Sequence, residues 1–124
     1  MADLDETPIR VTMTEEMRDV IVRAITAERD RARRRAGRVT KELPGANCYE
    51  ITDRHLTYAL EQMGDDEATL PAYIWNSVSW ALGERSRVSD YWHRLSQDKR
   101  SFLINGIDDA LRDGETELDL RGET

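Results

Sequence analysis

The chain is poor in the residues from which small catalytic or cross-linked domains are built. Cysteine occurs once, at Cys48, which excludes an intramolecular disulfide and a multi-cysteine zinc site and suits a reducing compartment. Its two histidines, His55 and His93, stand 38 residues apart with no second histidine or cysteine at ligand spacing. Nothing places a base beside Cys48, and there is no glycine-rich phosphate loop, Ser/His/Asp set or paired-carboxylate pattern. The acid clusters Asp65-Asp66-Glu67 and Asp108-Asp109 lack the glycine and the alternating oxygen ligands of a calcium loop. The expectation is a protein that is not an enzyme and uses no metal and no cofactor. No apolar run approaches the roughly 20 residues that cross a bilayer, and Met1-Ala2-Asp3-Leu4-Asp5-Glu6 is acidic where a signal peptide is basic and then apolar. This predicts a cytoplasmic protein with no membrane partner.

Lysine is also scarce. Lys41 and Lys99 are the only two, so sixteen of the eighteen cations are arginines. A high-GC coding sequence gives that bias, and a salt-adapted cytoplasm would explain it together with the acidity. The net charge of −7 argues against a phosphate-bearing partner until its distribution is seen. Residues 18–41 hold nine bases against three acids, a balance of +6, and the remainder of the chain carries −13.

At 124 residues, with 39% hydrophobic and 35% charged side chains, the chain has room for one core and a large wet surface. Residues 1–7 are polar and aperiodic and are expected to form a flexible acidic tail. Ile9, Val11 and Met13 then alternate with Arg10, Thr12 and Thr14, the period of a short strand. Thr14 is placed to cap a helix whose apolar face is Met17, Val20, Ile21, Ala24 and Ile25. Beyond Ile25 the helix is expected to continue past Arg35 as a charged extension. Pro44-Gly45-Ala46-Asn47 reads as a turn and Cys48-Tyr49-Glu50-Ile51 as a short extended segment. A second helix, capped by Thr52 or Asp53, carries Leu56, Ala59, Leu60 and Met63 and ends at Gly64. A third is expected from Thr69, with Pro71 in its first turn and Leu70, Tyr73, Ile74, Trp75, Val78, Trp80, Ala81 and Leu82 making it the apolar centre of the core. A fourth helical region begins after Ser86 or Ser89, carries Trp92, Leu95, Phe102, Leu103, Ile107 and Leu111, and closes at Gly114. The fold class is therefore mainly α: a single helical domain over residues 8–114, with acidic tails at 1–7 and 115–124.

The strand-and-helix unit Ile9-Arg10-Val11-Thr12-Met13-Thr14-Glu15-Glu16-Met17-Arg18-Asp19-Val20-Ile21 resembles the opening of ribbon-helix-helix DNA-binding domains. The resemblance covers about a quarter of the chain, residues 9–25 with their surroundings. It implies a homodimer in which two copies pair their N-terminal strands, Arg10 and Thr12 enter the major groove, and Thr14 caps the helix near a phosphate. The long first helix departs from that family's pattern, and Pro44 interrupts the only later segment, Gly37-Arg38-Val39-Thr40-Lys41-Glu42-Leu43, that looks like its second helix. The alternative partner for the strand is residues 48–51 of the same chain.

Six arginines fall within ten residues: Arg29, Arg31, Arg33, Arg34, Arg35 and Arg38. Their guanidinium forks suit phosphate or carboxylate, and their uneven spacing distributes them around the helix. A solvated helix balanced by the acidic remainder is the bland reading. The aromatic stretch Tyr73, Trp75, Trp80, Tyr91 and Trp92 could stack bases, but at helical spacing it reads first as core, with Trp75 or Trp80 as a protein interface if both do not fit inside. Two functions follow. One is a non-enzymatic DNA-binding or regulatory homodimer, with Arg10 and Thr12 on bases and Arg31, Arg33, Arg34, Arg35 and Arg38 on phosphates. The other is an interaction or assembly module, such as a viral or mobile-element accessory protein or a structural adaptor, whose basic helix docks on an acidic partner.

Overall fold

The alternation at the N-terminus does produce a strand, β1, Pro8–Thr12, with Ile9 and Val11 buried and Pro8 and Arg10 exposed. A computed structural model describes residues 5–42, 48–85 and 97–121. The turn expected at residues 44–47, the helix start at Ser86 or Ser89, and Tyr91, Trp92, His93 and Leu95 lie outside the described residues. Both edges of β1 are occupied within the same chain. It pairs antiparallel with β2, Glu67–Pro71, from Pro8 opposite Pro71 to Thr12 opposite Glu67. It pairs in parallel with β3, Glu117–Asp119, with Val11 opposite Leu118. The sheet order is β2-β1-β3. Residues 48–51 are not its partner, because they open a helix.

Four helices accompany this sheet among the described residues: α1 (Glu15–Glu42), α2 (Cys48–Glu61), α3 (Ala72–Arg85) and α4 (Gln97–Asp113). The fold is mainly α with a small sheet. Thr14 caps α1 as expected, its Oγ1 accepting from the Met17 amide at 3.1 Å, while Glu15 and Glu16 sit at the positive end of the helix dipole. The helix continues through Gly37, whose missing Cβ costs some helix propensity without stopping it, and its 28 residues span about 42 Å. Met17, Val20, Ile21, Ala24 and Ile25 are all buried.

Two helix starts differ from the sequence reading. The second helix starts at Cys48 rather than after Thr52, and the Thr52 hydroxyl donates back to the Cys48 carbonyl at 3.0 Å from inside the first turns. The third helix starts at Ala72 rather than Thr69. Glu67-Ala68-Thr69-Leu70 alternates exposed and buried residues as β2, and Pro71 closes the strand. The N-terminus of α3 is then satisfied by the preceding chain: the Ala72 amide donates to the Thr7 carbonyl at 2.9 Å and the Tyr73 amide to the Asp5 carbonyl at 3.0 Å. Residues 5–7 are thus docked, not part of a free tail.

The C-terminal segment is likewise drawn into the fold where a free tail was expected from residue 115. Gly114, at φ 68°, takes the left-handed position that follows α4, and the Glu115 amide reaches the Ala110 carbonyl at 3.0 Å, the six-to-one bond of a Schellman end. That turn aims β3 back along β1. The Leu120 amide then donates to the Thr12 carbonyl at 2.6 Å, and the Leu120 side chain is completely buried. Gly106 of α4 makes room for it, since a Cβ there would lie 2.9 Å from Leu120 Cδ2.

One core joins these elements. Ile9, Val11, Ala68 and Leu70 project from the sheet's inner face toward the buried faces of α1 and α3, and Leu103, Ile107 and Leu120 extend the cluster under α4. Trp75 is 1% exposed, and its indole N–H donates to the Ile9 carbonyl at 2.9 Å, tying α3 to β1. No helix among the described residues is long and apolar enough to cross a membrane. Truncating Leu120 leaves a cavity that Gly106 cannot fill, so Leu120→Ala should lower the unfolding free energy by about 2–5 kcal/mol, as read from urea denaturation. An unchanged midpoint would mean that β3 is not part of the cooperative unit.

Candidate functional site

Where the arginines point follows from helix geometry. At about 100° per residue, Arg34, Arg38, Arg31 and Arg35 fall within roughly a 100° arc of α1, whereas Arg29 and Arg33 lie on another side. The run therefore does present a stripe, four residues strong, which uneven spacing conceals in the sequence. Ala32 and Ala36 lie between the two groups and turn toward the core side, Ala32 being buried.

Several of these cations are engaged within the chain. Arg33 makes a two-pronged pair with Asp53 of α2, Nε to Oδ2 at 3.1 Å and Nη2 to Oδ1 at 3.0 Å. The hydrogen bond from Arg33 holds the Asp53 carboxyl below its ordinary range, and Asp53 in turn raises Arg33. Arg29 pairs with Asp30 at 3.1 Å. Arg31 reaches Glu28 at 2.9 Å, and Glu28 is only 3% exposed, so its charge is matched where water cannot serve. Arg35 stacks over the Tyr49 ring, 5.7 Å from its centroid. Arg34 and Arg38 are exposed, and no carboxylate of the described residues pairs with them.

Beside this stripe α1, α2 and α3 enclose an open cleft of about 570 Å³. Glu28, Arg31 and Arg35 of α1 form one wall, Cys48, Tyr49 and Thr52 of α2 a second, and Asn76, Ser77 and Trp80 of α3 the third. Trp80 is 55% exposed, the most exposed large apolar side chain described. Trp75 and Trp80 are five residues apart, about 140° around the helix, so they cannot share a face. That spacing was the available signal, and the structure assigns the buried role to Trp75, which is thereby removed from the interface candidates. No comparable pattern marked Tyr49, Thr52, Asn76 or Ser77, which only the packing of three helices brings together.

Arg10 and Thr12 occupy a different face. They stand on the outer side of the sheet, Thr12 across from Glu67 and Asp119 and Arg10 across from Thr69 and Glu117. Arg10 pairs with Glu117 at 2.9 Å. Asp119, hydrogen-bonded first by the Arg121 guanidinium and by its backbone amide, is lowered to about 2 and stays ionised at any physiological pH. Three carboxylates, Glu67, Glu117 and Asp119, thus share this surface with Arg10 and Arg121. The structure does not bring Arg10 and Thr12 together with the arginine stripe of α1 as neighbouring contacts of one site.

A polar brace supports the cleft from beneath. His55 Nδ1 lies 2.9 Å from the Ser77 hydroxyl, and its ring meets Tyr73 edge-on at 5.2 Å. Burial lowers the His55 pKa, so the neutral imidazole is the form this packing favours. Among the described residues no group of three or more histidine, cysteine or carboxylate side chains is arranged to hold a metal ion. Compared with protein-family models, with curated proteins and with solved structures, the chain gives no match.

Because the folded state disfavours the imidazolium, the unfolded chain binds the His55 proton first as pH falls. The His55 contribution is therefore complete above about pH 6.5 and is lost below it. The denaturation midpoint should drop between about pH 7.5 and pH 5.5, and His55→Gln should flatten that slope. A slope unchanged by the substitution would assign the proton uptake to other groups.

Proposed function

We propose that the chain is a non-enzymatic interaction module that docks an acidic partner protein on the C-terminal half of α1. The observation that carries this reading is the stripe of Arg31, Arg34, Arg35 and Arg38 along one side of α1, with Arg34 and Arg38 exposed and unengaged by the described carboxylates. Beside it stands the half-exposed Trp80, an amphipathic ring of the kind enriched at protein interfaces. The chain's own acidic surface repels an acidic partner elsewhere, so it also orients the approach, a role that charge plays better than it adds affinity.

The same geometry is less favourable to groove reading by the strand. A ribbon between two copies would require β2 or β3 to leave β1, and a DNA phosphate brought to Arg10 would meet Glu67, Glu117 and Asp119. The homodimer expected from an unpaired strand loses that reason, because β1 finds its partners at home.

Fluorescence anisotropy with labelled poly-glutamate and with random duplex DNA separates the two readings. Poly-glutamate should bind in a salt-sensitive manner, and the double charge reversal Arg34→Glu with Arg38→Glu should weaken it about tenfold or more. Duplex DNA bound more tightly than poly-glutamate, and released by Arg10→Ala with Thr12→Ala, would overturn the proposal in favour of the ribbon.

A further inference from the structure

The arginine stripe and the three-helix cleft adjoin, and two residues, Arg31 and Arg35, belong to both. From this juxtaposition we infer that the cleft is a receptor for a short acidic peptide segment of the partner, one carrying an apolar anchor residue among its carboxylates. The inference rests on the proposed function and specifies its occupant.

The wall residues define the chemistry. Carboxylates of the segment meet Arg31 and Arg35 at the cleft wall and Arg34 and Arg38 at its rim, over a length of about 10 Å for seven helical residues. Arg35 already lies over Tyr49 and Arg31 already bonds Glu28, so both guanidinium planes are held in place before the partner arrives. Each still has donors to spare, because a guanidinium offers five. The N-terminal turn of α2 lines the same space and adds the positive end of its dipole.

The apolar part is set by Trp80. A tryptophan 55% exposed on the wall of a cleft offers a flat surface for a leucine or an aromatic ring, while Asn76 and Ser77 beside it can hydrogen-bond the peptide backbone. An all-acidic ligand would leave that ring uncovered. A cleft of about 570 Å³ holds a few side chains, not a folded domain, so the partner enters as a segment.

Cys48 supplies the readout. It is the chain's single cysteine, it is exposed, and it lines the cleft, so its reaction with Ellman's reagent reports occupancy without interference from any other thiol. Two probes are compared on the full chain: a short poly-glutamate peptide with a central leucine, and the same peptide with serine in that place. The leucine peptide should bind about tenfold more tightly and should slow Cys48 modification, and Trp80→Ala should erase that tenfold difference between the two peptides. Thr52→Trp, which fills the cleft from α2, should lower the leucine peptide's affinity through a different element.

Equal affinity of the two peptides, or full Cys48 reactivity with saturating leucine peptide, would overturn the cleft while leaving an acidic partner on the outer arginines. Failure of both peptides to bind would overturn the cleft and the proposed function together. Protection of Cys48 by a DNA oligonucleotide at concentrations where the leucine peptide gives none would replace the peptide with a nucleic acid.

Discussion

The fold depends on β1 having a strand on each side. A five-residue strand has too little surface and too few hydrogen bonds to persist alone, and here its partners come from residues 67–71 and 117–119, distant in sequence. That pairing fixes much else. It draws the chain after α4 back across the molecule, buries Leu120, presents the Ile9 carbonyl to the Trp75 indole, and places Asp5 and Thr7 where their carbonyls satisfy the first amides of α3. Closing such long loops is entropically costly, so the sheet forms only together with the apolar cluster that its inner face completes.

Local signals in the sequence were legible where local forces decide. The cap at Thr14, the buried row from Met17 to Ile25 and the helix stop at Gly114 each follow from neighbours within a turn or two. The strands β2 and β3 carry no such local signal, for a physical reason. Glu67-Ala68-Thr69-Leu70 alternates over only four residues and precedes a proline that suits a helix start equally well, and Glu117-Leu118-Asp119 offers one apolar residue. Their structure is conferred by β1, so no window of their own sequence announces it. Cys48-Tyr49-Glu50-Ile51 departs in the opposite sense: its aromatic and β-branched residues favour a strand, yet it is helix, packed against α1 with Arg35 over the Tyr49 ring.

The candidate site was legible in part. Charge segregation drew attention to residues 29–38, but the division of labour within the run needed a structure. Arg29, Arg31 and Arg33 are matched to carboxylates at 3.1, 2.9 and 3.0 Å, and two of those partners, Glu28 and Asp30, lie within three residues. Asp53, twenty residues on, could not be assigned from spacing. Once these pairs are set aside, what is left is a smaller and better directed positive surface, flanked by an exposed tryptophan. On an acidic chain such a surface would, under the proposed function, orient the approach of a negatively charged partner.

The claim on which the account turns is that β1 is completed by its own chain, leaving partner binding to α1. Amide hydrogen exchange at Arg10 and Met13, whose amides donate to the Thr116 and Asp66 carbonyls, measures it directly across a dilution series. The account predicts strong protection that does not change with protein concentration. Protection that vanishes on dilution, in step with dissociation of a dimer seen by light scattering, would show instead that β1 takes its partner from a second copy.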